Sequence, residues 1–393
     1  MKKAVQFGAG NIGRGFLADL FTSSGYEVIF VEVNKKIVEA LNQNKSYTLE
    51  FAKIPPAFKV IQNVRAVWSE DRDTLLKECW DCDILSTAVG KSNLPSIAEK
   101  VSWIIKERKK REYCVPFNLL ICENVAHGSR LFKELLYPYL NEEEREFACH
   151  YLGLVETVIA RMVPVIEEEK RKKDPLYIKV EDYHLLPADK KAFKGDIPSL
   201  RGLKPVENIK AWEDRKLYIH NLGHAIFAYL GYLKKYHYIY EGVEDKWIKE
   251  ICLKVWDECR KGLIRDYGFK EKELQEHQED LLQRFSNRAL GDTVYRVARD
   301  PIRKLGPEER LIGGLRYIQK HKGNFEPLTW AAASALLYDY PEDKEACILQ
   351  ERIKREGIVK ILQSISQLDP KEEATRLIQE KYSLLKNKFL SST

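Results

Sequence analysis

The sequence predicts an α/β chain: a doubly wound, mostly parallel sheet in residues 1–195, then a mostly α-helical domain in residues 196–393. Three observations predict it. Short β-rich runs alternate with helical stretches through the first half. Several of these runs are apolar without interruption, as in Ile84-Leu85 and Leu119-Leu120-Ile121, which suits strands covered on both faces. From about Pro205 onward, apolar residues recur at helical spacing instead. A chain of 393 residues also exceeds what one hydrophobic core organises, so two domains are expected.

In order along the chain, the expected strands are residues 4–7, 28–33, 58–67, 83–88, 119–122 and 152–158. The character changes after the charged run 167–173, and an extended piece at 177–186 still belongs with the sheet domain. In the second domain Trp247, Ile248, Ile251, Val255 and Cys259 recur on one helical face, and residues 328–338 and 372–390 also read as helices. There is no internal repeat and no low-complexity tail.

Composition removes several function classes. Apolar residues at 44% and charged residues at 32% are those of a globular protein. The formal charge of +6 is modest, with bases and acids interleaved along the chain, so no nucleic-acid surface is demanded. No apolar run approaches the roughly 20 residues that span a bilayer. The basic start Lys2-Lys3 is followed at once by Gly8, Gly10 and Gly13, which does not read as a signal peptide. Eight cysteines in such a chain are expected to be reduced thiols in a cytoplasm. Cys79 and Cys82 form a lone C-x-x-C with no second pair nearby, which points to packing rather than to metal.

The sharpest local signal is Gly8-Ala9-Gly10-Asn11-Ile12-Gly13, with a strand before it and an amphipathic stretch, residues 12–22, behind it. In that context each glycine has work to do. Gly8 makes the tight turn, Gly10 lets a pyrophosphate approach the backbone, and Gly13 lets helix and strand pack closely. Amide groups at the helix start supply the partial positive charge that an anionic pyrophosphate needs. Glu32 closes the next strand, where a dinucleotide site of the Rossmann type places an acid for the adenosine ribose. Its carboxylate favours NAD over a 2′-phosphorylated cofactor, with Lys35 and Lys36 close behind it as the opposing feature. The cofactor-binding set is therefore Ala4, Gly8, Gly10, Asn11, Ile12, Gly13, Arg14, Gly15 and Glu32.

Nicotinamide chemistry needs a base for the hydroxyl proton and a donor to polarise the oxygen. Lys216, Asn221 and His224 fall at roughly 0°, 140° and 80° around an α-helix, on one flank. Taken alone, three such residues equally describe a solvated helix face. Their spacing, Lys216-x4-Asn221-x2-His224, resembles the signature of the polyol-specific long-chain dehydrogenases, the mannitol dehydrogenase family. The stretches Phe7-Gly-Ala-Gly-Asn-Ile-Gly-Arg-Gly15, Asp189-Lys…Phe193-Lys-Gly195, Cys122-Glu-Asn124, Arg161-Met-Val-Pro164, Arg284-Phe-Ser-Asn287 and Arg299-x-Pro-x-Arg-Lys-Leu305 extend the resemblance in one order to about residue 315. The remaining residues match only in helical character.

The resemblance implies a metal-independent, NAD-dependent oxidation of D-mannitol 1-phosphate to D-fructose 6-phosphate, reversible; it fixes no oligomeric state, and a monomer is the expectation. It implies Lys216 as general acid/base, Asn221 and His224 on the reacting oxygen, and Asn124 as a supporting contact. The family usually carries an acid just before Arg161, where this chain has Ala160; Glu156-Thr157 keep an acid and a hydroxyl nearby. A phosphorylated substrate calls for convergent cations. Arg296, Arg299, Arg303, Lys304 and Arg310 crowd one stretch, and if it is helical, the first three share a face. Arg299 and Arg303 are the candidates for the phosphate. Free mannitol and a hexuronate such as fructuronate or tagaturonate are the alternative substrates. A non-catalytic NAD-binding regulator is the alternative class, with no helix-turn-helix or basic arm to support it.

Overall fold

The computed structural model describes residues 2–164, 166 and 168–389. The first residue of the charged run, 167, and the last residue of the expected helix 372–390 lie outside them. The chain divides into two compact units, Met1–Trp212 and Glu213–Thr393.

The strands of the first unit are β1 (Lys2–Phe7), β2 (Tyr26–Glu32), β3 (Ser46–Phe51), β4 (Ala57–Gln62), β5 (Val64–Trp68), β6 (Ile84–Thr87), β7 (Phe117–Ile121), β8 (Leu152–Glu156), β9 (Ile178–Val180), β10 (Leu186–Asp189) and β11 (Leu203–Val206). The main sheet runs β5-β2-β1-β6-β7-β8, parallel throughout. Renumbered within the sheet, that is 3-2-1-4-5-6, the doubly wound order whose reversal opens a crevice beside β1. Successive residues feed opposite faces. Ala4, Val28, Phe30, Ile84 and Leu120 pack into one core layer, while Val5, Ile29, Leu85, Leu119 and Ile121 pack into the other.

Three expectations change. The run 58–67 is two strands, broken at Asn63, whose φ of 58° turns the chain. β4 pairs antiparallel with β3, and β5 joins the main sheet beside β2. Of residues 177–186 only β9 is a full strand ahead of β10, and it pairs with β3 in a separate three-stranded sheet. Residues 196–212 stay with the first unit, because β11 pairs with β10.

In the second unit the helix Leu222–Leu233 is apolar nearly all round and correspondingly buried. Around it run Lys246–Tyr267, Glu271–Phe285, Glu326–Leu336 and Glu373–Phe389, among others. Lys246–Tyr267 starts where the Asp245 side chain accepts from the Ile248 amide at 3.1 Å and ends at Gly268, φ 69°. It buries the expected Ile248, Ile251, Val255 and Cys259, together with Cys252 and Trp256. Among the described residues no helix is long and apolar enough to cross a membrane.

Candidate active site

The glycine turn sits at the carboxyl end of β1. The Gly8 amide donates to the Val31 carbonyl at 2.9 Å, and its φ of +88° is one that L side chains rarely adopt. A Cβ on Gly13 would lie 2.1 Å from the Gly8 carbonyl oxygen, so that close approach is obligatory. A Cβ on Gly10 would meet nothing within 4 Å; its requirement lies in what comes to the turn. Gly8, Gly10, Val31, Glu32, Ala88 and Val89 line a cavity of about 260 Å³. Glu32 accepts from the Ala9 amide at 2.7 Å and from the Asn34 amide at 2.9 Å.

The other predicted cofactor residues are placed differently. Ala4 is fully buried inside β1. Gly15 packs against Val180 and Ile178 of β9. Arg14 is buried, with its Nε donating to the Ala9 carbonyl at 2.6 Å and its guanidinium to the Pro175 carbonyl at 3.0 Å. It braces the turn from inside. Asn11 and Ile12 are half-buried at the turn. The helix behind them opens as a π-helical turn, Gly13–Leu17, before the α-helix Ala18–Thr22. Lys35, read as opposing Glu32's preference, holds its ammonium 3.9 Å from the Trp68 ring centroid.

Asn124 is exposed in the loop after β7. Its neighbour Glu123 accepts from the Val89 and Gly90 amides at 2.8 and 2.9 Å, fixing the loop that lines the cavity. Beside Ala160, Arg161 is buried and donates to the carbonyls of Gly15 and Glu181, each at 2.7 Å, and to Asp19 at 3.1 Å. Glu156 is engaged by Ser129, whose amide and hydroxyl donate to it at 2.8 and 3.0 Å, and the Thr157 hydroxyl donates to the Ile121 carbonyl at 3.0 Å. Cys79 and Cys82 are buried free thiols, and burial pushes Cys82 up to about 11.

In the second unit the predicted catalytic helix is not α throughout. Lys216–Asn221 is a π-helical turn that runs into Leu222–Leu233. Pairing in such a turn is i→i+5, so Lys216 and Asn221 stack one turn apart rather than roughly 140° apart as α geometry gives. Burial pulls the Lys216 ammonium down to about 8; Arg310 adds to the fall and Glu213 opposes it. His224 is buried with its ring stacked on Phe285, centroids 4.4 Å apart at 18°. Its Nε2 lies 2.8 Å from Asp292, and Arg296 donates to both oxygens of that carboxylate at 2.5 and 2.6 Å. Burial lowers the His224 pKa, against the raising effect of Asp292.

The basic stretch is not one helix. The helix Val294–Ala298 stops at Arg299, Asp300 takes φ 65°, and a short turn Pro301–Lys304 follows. Arg296, Arg299 and Arg303 therefore do not share a helical face. Arg303 is held by Asp300 at 2.6 Å and Glu309 at 2.8 Å, and Arg299 is exposed. Lys304, only 4% exposed, donates to the Arg299 carbonyl; burial, then Arg310 and Arg303, push it down to about 6. Sequence reasoning did not single out Asp292 or Phe285 as site residues. The i,i+4 spacing of Asp292 and Arg296, and Phe285 inside a motif already noted, were the available signals.

A doubly wound sheet with a glycine turn and an acid at the next strand end, together with a helical unit carrying a half-buried lysine of lowered pKa, defines a dinucleotide-linked oxidoreductase. Residues 2–202 match the mannitol dehydrogenase Rossmann domain and residues 208–388 the mannitol dehydrogenase C-terminal domain, so the chain belongs to the mannitol dehydrogenase family. Among its relatives, the mannitol-1-phosphate 5-dehydrogenase of Thermoanaerobacter pseudethanolicus is 35% identical over 99% of both chains. That of Anoxybacillus flavithermus is 36% identical over 93% of this chain and 95% of its own. Among solved structures, Pseudomonas fluorescens mannitol 2-dehydrogenase, in ternary complex with NAD and D-mannitol, has a TM-score of 0.80 at 16% identity, covering 100% of this chain and 93% of its own. A D-sorbitol dehydrogenase in substrate-free form gives 0.79 at 18% identity, covering 98% and 92%. These likenesses are of fold.

Proposed function

We propose that the protein is a mannitol-1-phosphate 5-dehydrogenase, interconverting D-mannitol 1-phosphate and D-fructose 6-phosphate with NAD in the cytoplasm. The observation that carries this reading is the half-buried Lys216, its ammonium brought down to about 8 by desolvation, at the start of the π-turn that ends at Asn221. The full-length relatives named for this activity support the substrate.

The first unit suits NAD: open space at Gly10 for a pyrophosphate and a carboxylate at Glu32 beside the cavity. When bound, NAD accepts or returns the hydride. Lys216, neutral near its pKa, takes the hydroxyl proton of the alcohol and, protonated, gives it back to the ketone oxygen. Asn221 donates its side-chain amide to the same oxygen, and His224 holds the sugar beside it. Asn124, exposed after β7, supports nicotinamide or substrate. Arg299 and Arg303 belong to the stretch proposed for the phosphate, and within it Arg310 is close enough to Lys216 and His224 to lower both. No step calls on a metal, and one chain suffices.

The test is steady-state oxidation of NADH with fructose 6-phosphate, fructose and fructuronate. Turnover with fructose 6-phosphate and little with the others is expected. Preference for fructose or fructuronate assigns the chain to another activity of the family.

A further inference from the structure

We infer that Asp292 is a positioning residue that dictates which ring nitrogen of His224 meets the substrate, making His224 the acceptor of a hydrogen bond from a sugar hydroxyl. The inference rests on the proposed activity for its substrate and on geometry for the rest. His224 Nε2 and Asp292 Oδ2 are 2.8 Å apart, with side-chain exposures of 10% and 6%. Arg296 binds both oxygens of that carboxylate, and with His224 it holds Asp292 ionised against its burial. An ionised carboxylate has no hydrogen to give, so the hydrogen on this contact is that of Nε2. Burial lowers the pKa of the imidazole against the pull of Asp292 and so favours its neutral form, and a neutral ring protonated at Nε2 carries a lone pair at Nδ1.

The ring has little freedom to escape this assignment. Phe285 stacks on its plane, and its own helix, Leu222–Leu233, is buried along its length. Asp292 is tied to the backbone as well, its carbonyl accepting from the Ile239 amide at 2.9 Å. The nitrogen left for a ligand is Nδ1, and it accepts. A ketone oxygen offers no hydrogen to such an atom, whereas each hydroxyl of a polyol chain does. Polarisation of the carbonyl then falls to Asn221 and protonated Lys216, while His224 reads a hydroxyl. Asp292 touches no reacting atom and acts through the ring.

The experiment is nitrogen NMR of the full chain labelled with ¹⁵N-histidine, His224 being identified by its loss in H224Q. Nε2 is expected to carry the hydrogen and Nδ1 to be bare; a hydrogen on Nδ1 in the unsubstituted protein overturns the inference. Asp292→Asn, whose amide presents either a donor or an acceptor, is expected to mix the two tautomers. It should lower kcat/KM for fructose 6-phosphate by about 100-fold with NADH affinity unchanged. In an H224A background the same substitution should change kcat/KM by less than about twofold, since residues acting as a unit are not additive. An equal loss in both backgrounds makes Asp292 merely structural and overturns the inference. If the unsubstituted chain oxidises NADH with no ketose, the proposed activity fails, and the NMR result still decides the tautomer.

Discussion

The indole of Trp256 donates from Nε1 to the Ile219 carbonyl across 2.8 Å, in the middle of the π-helical turn that carries Lys216 and Asn221. A π-turn disturbs the i→i+4 ladder of its helix, and a buried carbonyl there needs a partner. Gly223 makes room, since a Cβ on it would lie 2.3 Å from the indole ring. Trp256→Phe keeps the ring and removes the donor. We expect it to cost about 1 kcal/mol of stability and about tenfold or more in kcat, with NADH affinity preserved. Unchanged kcat with lowered stability would show that the bond supports the fold and not the alignment of the lysine.

Two alanine substitutions in the glycine turn should separate folding from binding. Gly13→Ala drives a methyl against the Gly8 carbonyl at 2.1 Å and is expected to destabilise by about 3 kcal/mol or more. Gly10→Ala meets nothing within 4 Å, so its melting curve should match that of the unsubstituted protein. Its NADH affinity should fall by roughly tenfold, about 1.4 kcal/mol, because the methyl occupies the approach of the pyrophosphate. Thermal melting and NADH titration on the two variants check both halves.

The pH dependence follows from Lys216, held near 8 by burial. In the proposed mechanism alcohol oxidation needs the neutral amine, so its kcat is expected to rise with pH through about 8. Ketone reduction by the same proposed route needs the ammonium, so its kcat is expected to fall over the same range. Lys216→Ala should remove both limbs and nearly all turnover while NADH still binds. Profiles in the two directions that bend the same way would exclude Lys216 as the proton-exchanging group.

Arg310 and Arg303 should differ in their effect on the phosphorylated substrate. Arg303 is paired with Asp300 and Glu309, whereas Arg310 depresses the pKa of Lys216. Arg310→Ala is expected to lower the preference for fructose 6-phosphate over fructose and to raise the pH midpoint of oxidation. Arg303→Ala should do less of the first and none of the second. Rates with both ketoses across pH measure the two effects together.

The main sheet was legible because each of its strands is an apolar run between turn residues. The three-stranded sheet was not, because β3 and β4 interleave apolar positions with polar and charged ones such as Thr48, Glu50 and Lys59, and Asn63 splits what reads as one run. The glycine turn and Glu32 were visible as a motif. Arg14 and Gly15 were visible too, but as neighbours in sequence; their contacts with Pro175 and β9 depend on residues more than 150 positions away. The spacing of Lys216, Asn221 and His224 was readable, and the helical type of the segment was not: the indole that bonds its Ile219 carbonyl lies 37 positions away. Asp292 lies 68 positions from His224, a pairing that helical periodicity does not reveal.

Glu32 matters to anyone wishing to re-engineer cofactor preference. Its carboxylate ties the Ala9 and Asn34 amides together, so the usual replacement of this acid by a small neutral residue would also unfasten the turn. The adjacent Lys35 is drawn onto Trp68 and away from service as a counter-charge. A switch to the phosphorylated dinucleotide would therefore call for a combined redesign: a substitute acceptor for the two amides, and a lysine released from its aromatic partner.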